Sequence, residues 1–135
     1  MTKKYYLLVV DDDPISQFAI SEMLKQQFEI HCVDNGQQCI ESIMNKKPDM
    51  LLLDVNMPVL NGYETCKILR ADPVYQSLPI IILSALIKEK EITAGYTAGC
   101  DLYITKPFKQ DELISKISQL LDKSYKNKDK EKKIR

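Results

Sequence analysis

Four apolar runs of this chain end in side chains able to do polar chemistry. Tyr5–Val10 leads into Asp11-Asp12-Asp13, Met50–Leu53 into Asp54, Ile80–Leu83 into Ser84, and Leu102–Ile104 into Thr105-Lys106. Brought together, they would make a crevice of carboxylates, one hydroxyl and one ammonium. Carboxylates about 4 Å apart repel by roughly 1 to 4 kcal/mol per pair at effective dielectrics of 80 to 20, so such a cluster favours a bound cation. Oxygen donors with no His or Cys among them suit Mg2+ better than zinc. Magnesium held by one or two carboxylates commonly positions a phosphoryl group, to whose oxygens Lys106 offers a point charge and Ser84 a hydrogen-bond donor. The nucleophile that remains is a carboxylate, which can form an acyl phosphate. Asp11 and Asp12 are a pair suited to metal, whereas Asp54 stands alone at the end of its run. A lone aspartate there can also be a helix N-cap. The elements that carry it decide between the two roles.

Leu51-Leu52-Leu53 running into Asp54, with Pro58 closing the stretch, has the continuous apolarity of a strand buried on both faces of a parallel sheet. The other three runs read in the same way, and Phe28–Val33 reads as a short edge strand followed by the turn Asp34-Asn35-Gly36. Helical patterns separate them. Asp13-Pro14 starts the first, with Asp13 as N-cap, and Ile15, Phe18, Ala19, Met23 and Leu24 recur at helical spacing to about Phe28. Cys39, Ile40, Ile43 and Met44 stripe a second, ended near Lys47-Pro48. Asn61, with Glu64 in capping-box position, opens a third over about Tyr63–Arg70. The fourth covers about Glu89–Ala98, closed by Gly99, and the last about Gln110–Asp122, with Leu113, Ile114, Ile117, Leu120 and Leu121 on one face. Five strands alternating with five helices imply a parallel sheet with right-handed crossovers and helices on both faces. All strand carboxyl ends then lie along one edge, where open α/β sheets keep their ligands. Asp54 is thereby expected to be a working carboxylate.

At 135 residues the chain is one domain long, and 44% hydrophobic with 28% charged residues is ordinary for a soluble globular protein. No apolar run approaches the roughly 18 residues that cross a bilayer, so a cytoplasmic protein is expected. Cys32, Cys39, Cys66 and Cys100 show no metal-like spacing, and with His31 the only histidine they are expected to be free thiols. The zero net charge divides unevenly. Lys123 to Arg135 holds seven Lys/Arg and two Asp/Glu, a net of +5, so the preceding residues carry −5. The expected organisation is a folded domain over 1–122 and a basic, unstructured tail or linker over 123–135.

Val9-Val10-Asp11-Asp12-Asp13-Pro14, Leu53-Asp54-Val55-Asn56-Met57-Pro58 with Asn61-Gly62, Ile82-Leu83-Ser84-Ala85, and Ala98 through Phe108 with Thr105-Lys106-Pro107 resemble the receiver domains of two-component response regulators. The resemblance runs from about residue 5 to 122. It implies a flavodoxin-like, doubly wound five-stranded sheet of order 2-1-3-4-5. It further implies that Asp54 is the phosphoacceptor, loaded from a histidine on a partner kinase or phosphotransfer protein. Asp12 and Asp54 would ligate Mg2+ through carboxylates, Asp11 through water, and Asn56 through its backbone carbonyl. Ser84 matches the switch hydroxyl, Lys106 the phosphate-pairing lysine before a cis proline, and Tyr103 the aromatic switch. Such a protein is a signalling receiver that catalyses only its own phosphorylation and dephosphorylation. Its listener is expected to be a protein reading the face built from the fourth helix, last strand and last helix. Direct nucleic-acid binding and membrane association are not expected, and the assembly state is monomer or weak dimer.

The rival enzyme class is a haloacid-dehalogenase-type phosphatase, using Asp11 as nucleophile and Asp13 as acid. The chain lacks the Thr or Val with a following Gly that such a motif requires after its second aspartate, and is short for a cap and core. A flavin module on the same fold is disfavoured because three aspartates would repel the flavin phosphate.

Overall fold

A computed structural model of the chain describes residues 3–134, with side chains described through Lys126. The elements alternate as expected: β1 (Tyr6–Val10), α1 (Pro14–Leu24), β2 (Glu29–Val33), α2 (Gly36–Asn45), β3 (Met50–Leu53), α3 (Gly62–Ala71), β4 (Ile80–Ser84), α4 (Glu89–Ala98), β5 (Leu102–Thr105) and α5 (Gln110–Ile134). Every strand pair is parallel and the sheet order is β2-β1-β3-β4-β5. This is the doubly wound fold the sequence implies, with β1 and β3 flanking the point where the winding reverses.

The apolar runs explain the layering. Alternate residues of a strand point to opposite faces, so a run apolar at every position feeds two cores. Leu8, Val10, Leu51, Leu53, Ile80 and Ile82 pack in one cluster with Cys39 and Ile43 of α2 and Cys66 and Leu69 of α3. Leu7, Val9, Met50, Leu52, Ile81 and Leu83 pack in the other with Ile20 and Leu24 of α1 and Leu113, Ile117 and Leu121 of α5. The edge strand β2 carries His31 on the exposed surface, as expected. All four cysteines are free, and burial pushes the Cys39 thiol up to about 12, Cys66 to about 11 and Cys100 to about 12.

Three expectations need correction. α1 ends at Leu24, not near Phe28. The N–H groups of Gln27 and Phe28 both donate to the Leu24 carbonyl, so the chain turns there, and Phe28 folds back into the core as if the helical spacing had continued. The apolar stripe of α1 is also only half a core face, for Ile15 and Phe18 are 79% and 67% exposed. At 100° per residue Phe18 is turned about 160° from Ile20, which faces the sheet. Met44 on α2 is exposed in the same way. Finally, α5 does not stop at Asp122, and the basic segment expected to be an unstructured tail continues the helix to Ile134. Lys, Glu and Asp have no propensity that stops a helix from continuing there. Lys126 pairs with Asp122 one turn earlier at 3.7 Å, and Tyr125 meets Tyr5 edge to face at 6.1 Å. No helix among the described residues is long and apolar enough to cross a membrane.

Candidate functional site

Backbone hydrogen bonding sets the carboxyl edge. Val10 of β1 lies opposite Leu53 of β3, and the ladder continues one step beyond both strands. The Asp54 N–H donates to the Val10 carbonyl (2.9 Å), and the Asp11 N–H to the Val33 carbonyl (3.1 Å). Across the sheet, the Lys106 N–H donates to the Ser84 carbonyl at 2.8 Å. The side chains singled out from the sequence thus issue from adjacent strand ends.

Asp11, Asp12 and Asp54 each offer a carboxylate oxygen, and these three oxygens lie within 4.8 Å of one another. Asp11 is buried, Asp54 half-buried and Asp12 exposed, so the group opens to water on one side. Burial raises the Asp54 pKa; the Lys106 ammonium counters that, and Asp11 and Asp12 add to it through repulsion. The Val55 N–H donates to Asp54 Oδ1 at 2.8 Å and fixes the carboxylate orientation. Asp13 stays outside the group, capping α1 by accepting the Ile15 N–H. Asn56 is exposed on the loop after Asp54.

Gly62 seats that loop. Its N–H donates to the Val55 carbonyl at 2.9 Å, and a Cβ there would lie 2.3 Å from the Asp54 carbonyl oxygen. The Asn61/Glu64 capping box is formed as expected. In the same loop Val59 takes a left-handed φ of 69° while 79% exposed. For a β-branched residue this conformation costs about 1 to 2 kcal/mol, and asparagine tolerates it far better. Val59→Asn is therefore expected to raise stability by about 1 kcal/mol, read as a Tm gain of a few degrees. An unchanged or lowered Tm would show that the valine side chain is stabilising where it stands.

Lys106 precedes a cis peptide bond to Pro107, and its ammonium rests on Asp11 Oδ2 (3.1 Å) and Ser16 Oγ (3.2 Å). Ser84 is buried, and its hydroxyl accepts the Leu86 N–H at 3.1 Å. Tyr103 is turned inward and buried, donating its phenol to the Leu86 carbonyl at 2.8 Å. Leu86 therefore holds Ser84 with one main-chain group and Tyr103 with the other. The inward ring fits because position 95 is glycine, where a Cβ would come within 2.7 Å of Tyr103 Cδ2.

Some participants left little trace in the sequence. Tyr96 caps the edge strand by accepting the Tyr103 N–H at 3.1 Å, and Tyr63 ties α3 to α4 by donating to the Glu91 carbonyl at 2.8 Å. Burial, with the Tyr103 phenol close by, pushes the Tyr63 phenol up to about 12. The Gln17 amide bridges Asp11, Val33 and Asp34. Ser16 and Gln17 follow the Asp-Pro helix start by two and three residues, the one available signal that they lie at the carboxyl edge.

A doubly wound sheet with grouped acids, a buried hydroxyl and a lysine along its carboxyl edge defines a class of α/β protein with a polar site at that edge. Within that class, residues 7–118 match the response regulator receiver domain, and the chain belongs to that family. It is 33% identical over 117 residues to the DNA-binding response regulator MtrA of Mycolicibacterium smegmatis, covering 86% of this chain and 50% of that protein. The chain thus spans about half the length of the curated relatives it matches. Among solved structures it resembles the receiver domain of a sensor histidine kinase from Pseudomonas aeruginosa, with a magnesium ion coordinated in that protein's active site cleft (TM-score 0.83, 30% identity, 89% of this chain and 99% of the other). It also resembles the receiver of a histidine kinase from Syntrophus aciditrophicus (TM-score 0.83, 28% identity, 87% of this chain and 90% of the other).

Proposed function

We propose that residues 1–122 form a phosphoaccepting receiver of a cytoplasmic two-component or phosphorelay system, in which Asp54 takes a phosphoryl group from a histidine of a kinase or phosphotransfer protein. The observation that carries this reading is the grouping of Asp54 with Asp11 and Asp12 at the sheet reversal. A carboxylate oxygen of Asp54 attacks phosphorus as the P–N bond to the donor imidazole breaks, and the imidazole keeps the electron pair and takes up a proton. Such transfers demand positioning and charge stabilisation more than covalent help. Lys106 leaves Asp11 for a phosphoryl oxygen, and Ser84 turns from the Leu86 N–H to another.

The donor set fits Mg2+, being all oxygen, part buried and open to water. Asp12 and Asp54 would hold it, with Asp11 through water and the Asn56 carbonyl completing the set. When bound it would neutralise the carboxylates and the charge that develops on the phosphoryl group.

Loss of the Ser84–Leu86 bond disturbs the residue whose carbonyl holds Tyr103, so the site reaches α4, β5 and α5 through one connector. That face is the surface for a downstream protein, the chain acting as monomer or weak dimer, with no nucleic-acid or membrane contact of its own and no turnover of other substrates. Acetyl phosphate labelling followed by peptide mass mapping tests the assignment, with label expected on Asp54; label on Asp11 would favour the phosphatase reading. Magnesium is expected to stabilise the protein by mass action, by about 1.4 kcal/mol at tenfold over its Kd. A Tm unmoved by millimolar Mg2+ would count against the acidic-pocket reading.

A further inference from the structure

We propose that Ser16, on the first turn of α1, is a positioning residue of the phosphoryl-transfer site, setting where the Lys106 ammonium waits before transfer. This rests on the phosphoacceptor reading given above. The Ser16 hydroxyl donates to Asp11 Oδ2 at 2.6 Å and accepts from Lys106 Nζ at 3.2 Å, while Lys106 Nζ also reaches that same Oδ2 at 3.1 Å. Three polar atoms from α1, the β1–α1 loop and the β5–α5 loop thus close a triangle, and each is within reach of the other two. The second oxygen of Asp11 accepts the Asp13 N–H at 2.9 Å, so both carboxylate oxygens are engaged and the orientation of the group is set.

The consequence for Lys106 is specific. Its four-carbon stem is flexible, and the ammonium is a point charge with no preferred approach of its own. Among the described residues, the ammonium hydrogen-bonds to Asp11 and Ser16 and not to Asp54, although it lies close enough to oppose the rise in the Asp54 pKa. Ser16 therefore supplies half of the hold that keeps Lys106 beside Asp54 without occupying its nucleophilic oxygen. A lysine left to pair directly with Asp54 would have to be displaced before that oxygen could attack. Ser16 also lines the 260 Å³ groove between α1 and Pro107-Phe108, so the triangle sits where this groove meets the site.

Ser16→Ala removes the hydroxyl at a helical position where alanine is well tolerated. With phosphoramidate as donor, the maximal rate of Asp54 phosphorylation is expected to fall about 3- to 10-fold, with the half-saturating donor concentration changed less than about twofold, the scale set by the net loss of one solvent-accessible hydrogen bond. Ser16→Thr, which keeps the hydroxyl, is expected to restore most of the rate. The Lys106 Nζ resonance, read by NMR on lysine-labelled protein, is expected to shift or broaden in Ser16→Ala and to return toward the wild-type position in Ser16→Thr. A wild-type rate and an unmoved resonance in Ser16→Ala would overturn the role of Ser16 alone. A wild-type protein that takes no label at Asp54 would overturn the phosphoacceptor reading, and this proposal with it.

Discussion

Asp54→Asn is expected to abolish phosphorylation while making the unphosphorylated protein more stable. Loss of label follows directly, because the amide nitrogen and oxygen are poor nucleophiles toward phosphorus. The gain in stability follows from charge. Asp54 is half-buried, and one oxygen of each of Asp54, Asp11 and Asp12 lies within 4.8 Å of the others, so removing its charge ends a burial penalty first and two repulsions besides, at the expense of the attraction to Lys106. At an effective dielectric near the surface value the net gain is about 1 to 2 kcal/mol. The side-chain oxygen still accepts the Val55 N–H, so the loop keeps its anchor. The pH dependence has a definite sign. The folded-state pKa of Asp54 is raised, first by burial, so the folded state binds this proton more tightly than the unfolded state. Ionising Asp54 therefore lowers stability as pH rises from the unfolded carboxylate range through the raised folded value. The wild-type protein should trail Asp54→Asn in Tm at neutral pH, and the gap should close as pH falls into the carboxylate range. A gap that widens on acidification would mean that Asp54 is stabilising when ionised, and that Lys106 dominates its surroundings.

The same charge logic shows why so much of the site was legible in the sequence. Each of Asp54, Ser84 and Lys106 ends an apolar run, and parallel strands deliver run ends to one edge whatever the intervening helices do. The run over Leu51-Leu52-Leu53 needed no alternation to be read, since both of its faces are buried. Ile15 and Phe18 share the helical spacing and yet lie exposed, for the opposite reason. Helical spacing predicts which residues share a face, but not which face meets the sheet, and α1 turns its Ile20–Leu24 side inward. Ser16 and Arg70 were invisible because their roles are contacts across long sequence separations. Lys106 is 90 residues from Ser16, and Asp101 is 31 residues from Arg70. A polar residue on a helix gives no local sign of such a partner. The end of α5 is not legible in the sequence because a charged, nearly apolar-free segment reads as solvated chain, whereas continuation of an existing helix needs no core of its own.

Arg70 is the site of the second large effect, and it stands at the other edge of the sheet. Its guanidinium donates from Nε to the Gly99 carbonyl (2.8 Å) and from Nη1 to the Tyr75 (3.2 Å) and Leu78 (2.8 Å) carbonyls. Nη2 reaches Asp101 Oδ2 at 2.9 Å, and that oxygen also accepts the Ile80 N–H at 2.8 Å. One side chain from the end of α3 thereby satisfies the loops that enter β4 and β5. Arg70→Ala is expected to cost about 3 kcal/mol, because three main-chain carbonyls lose a charged donor and Asp101 loses its counter-ion. In a denaturant titration this reads as a lowered midpoint with an unchanged slope. Arg70→Lys should recover less than half, since one ammonium cannot reproduce a planar fork of donors. Labelling of Asp54, measured well below the new midpoint, should survive, because these contacts hold the amino ends of β4 and β5 and none of the acid group. A loss below about 1 kcal/mol would show that water replaces the guanidinium without cost. Paired with Asp54→Asn, the variant separates the two edges: removing a charge at the carboxyl edge gains stability and ends function, while removing one at the amino edge loses stability and leaves the chemistry in place.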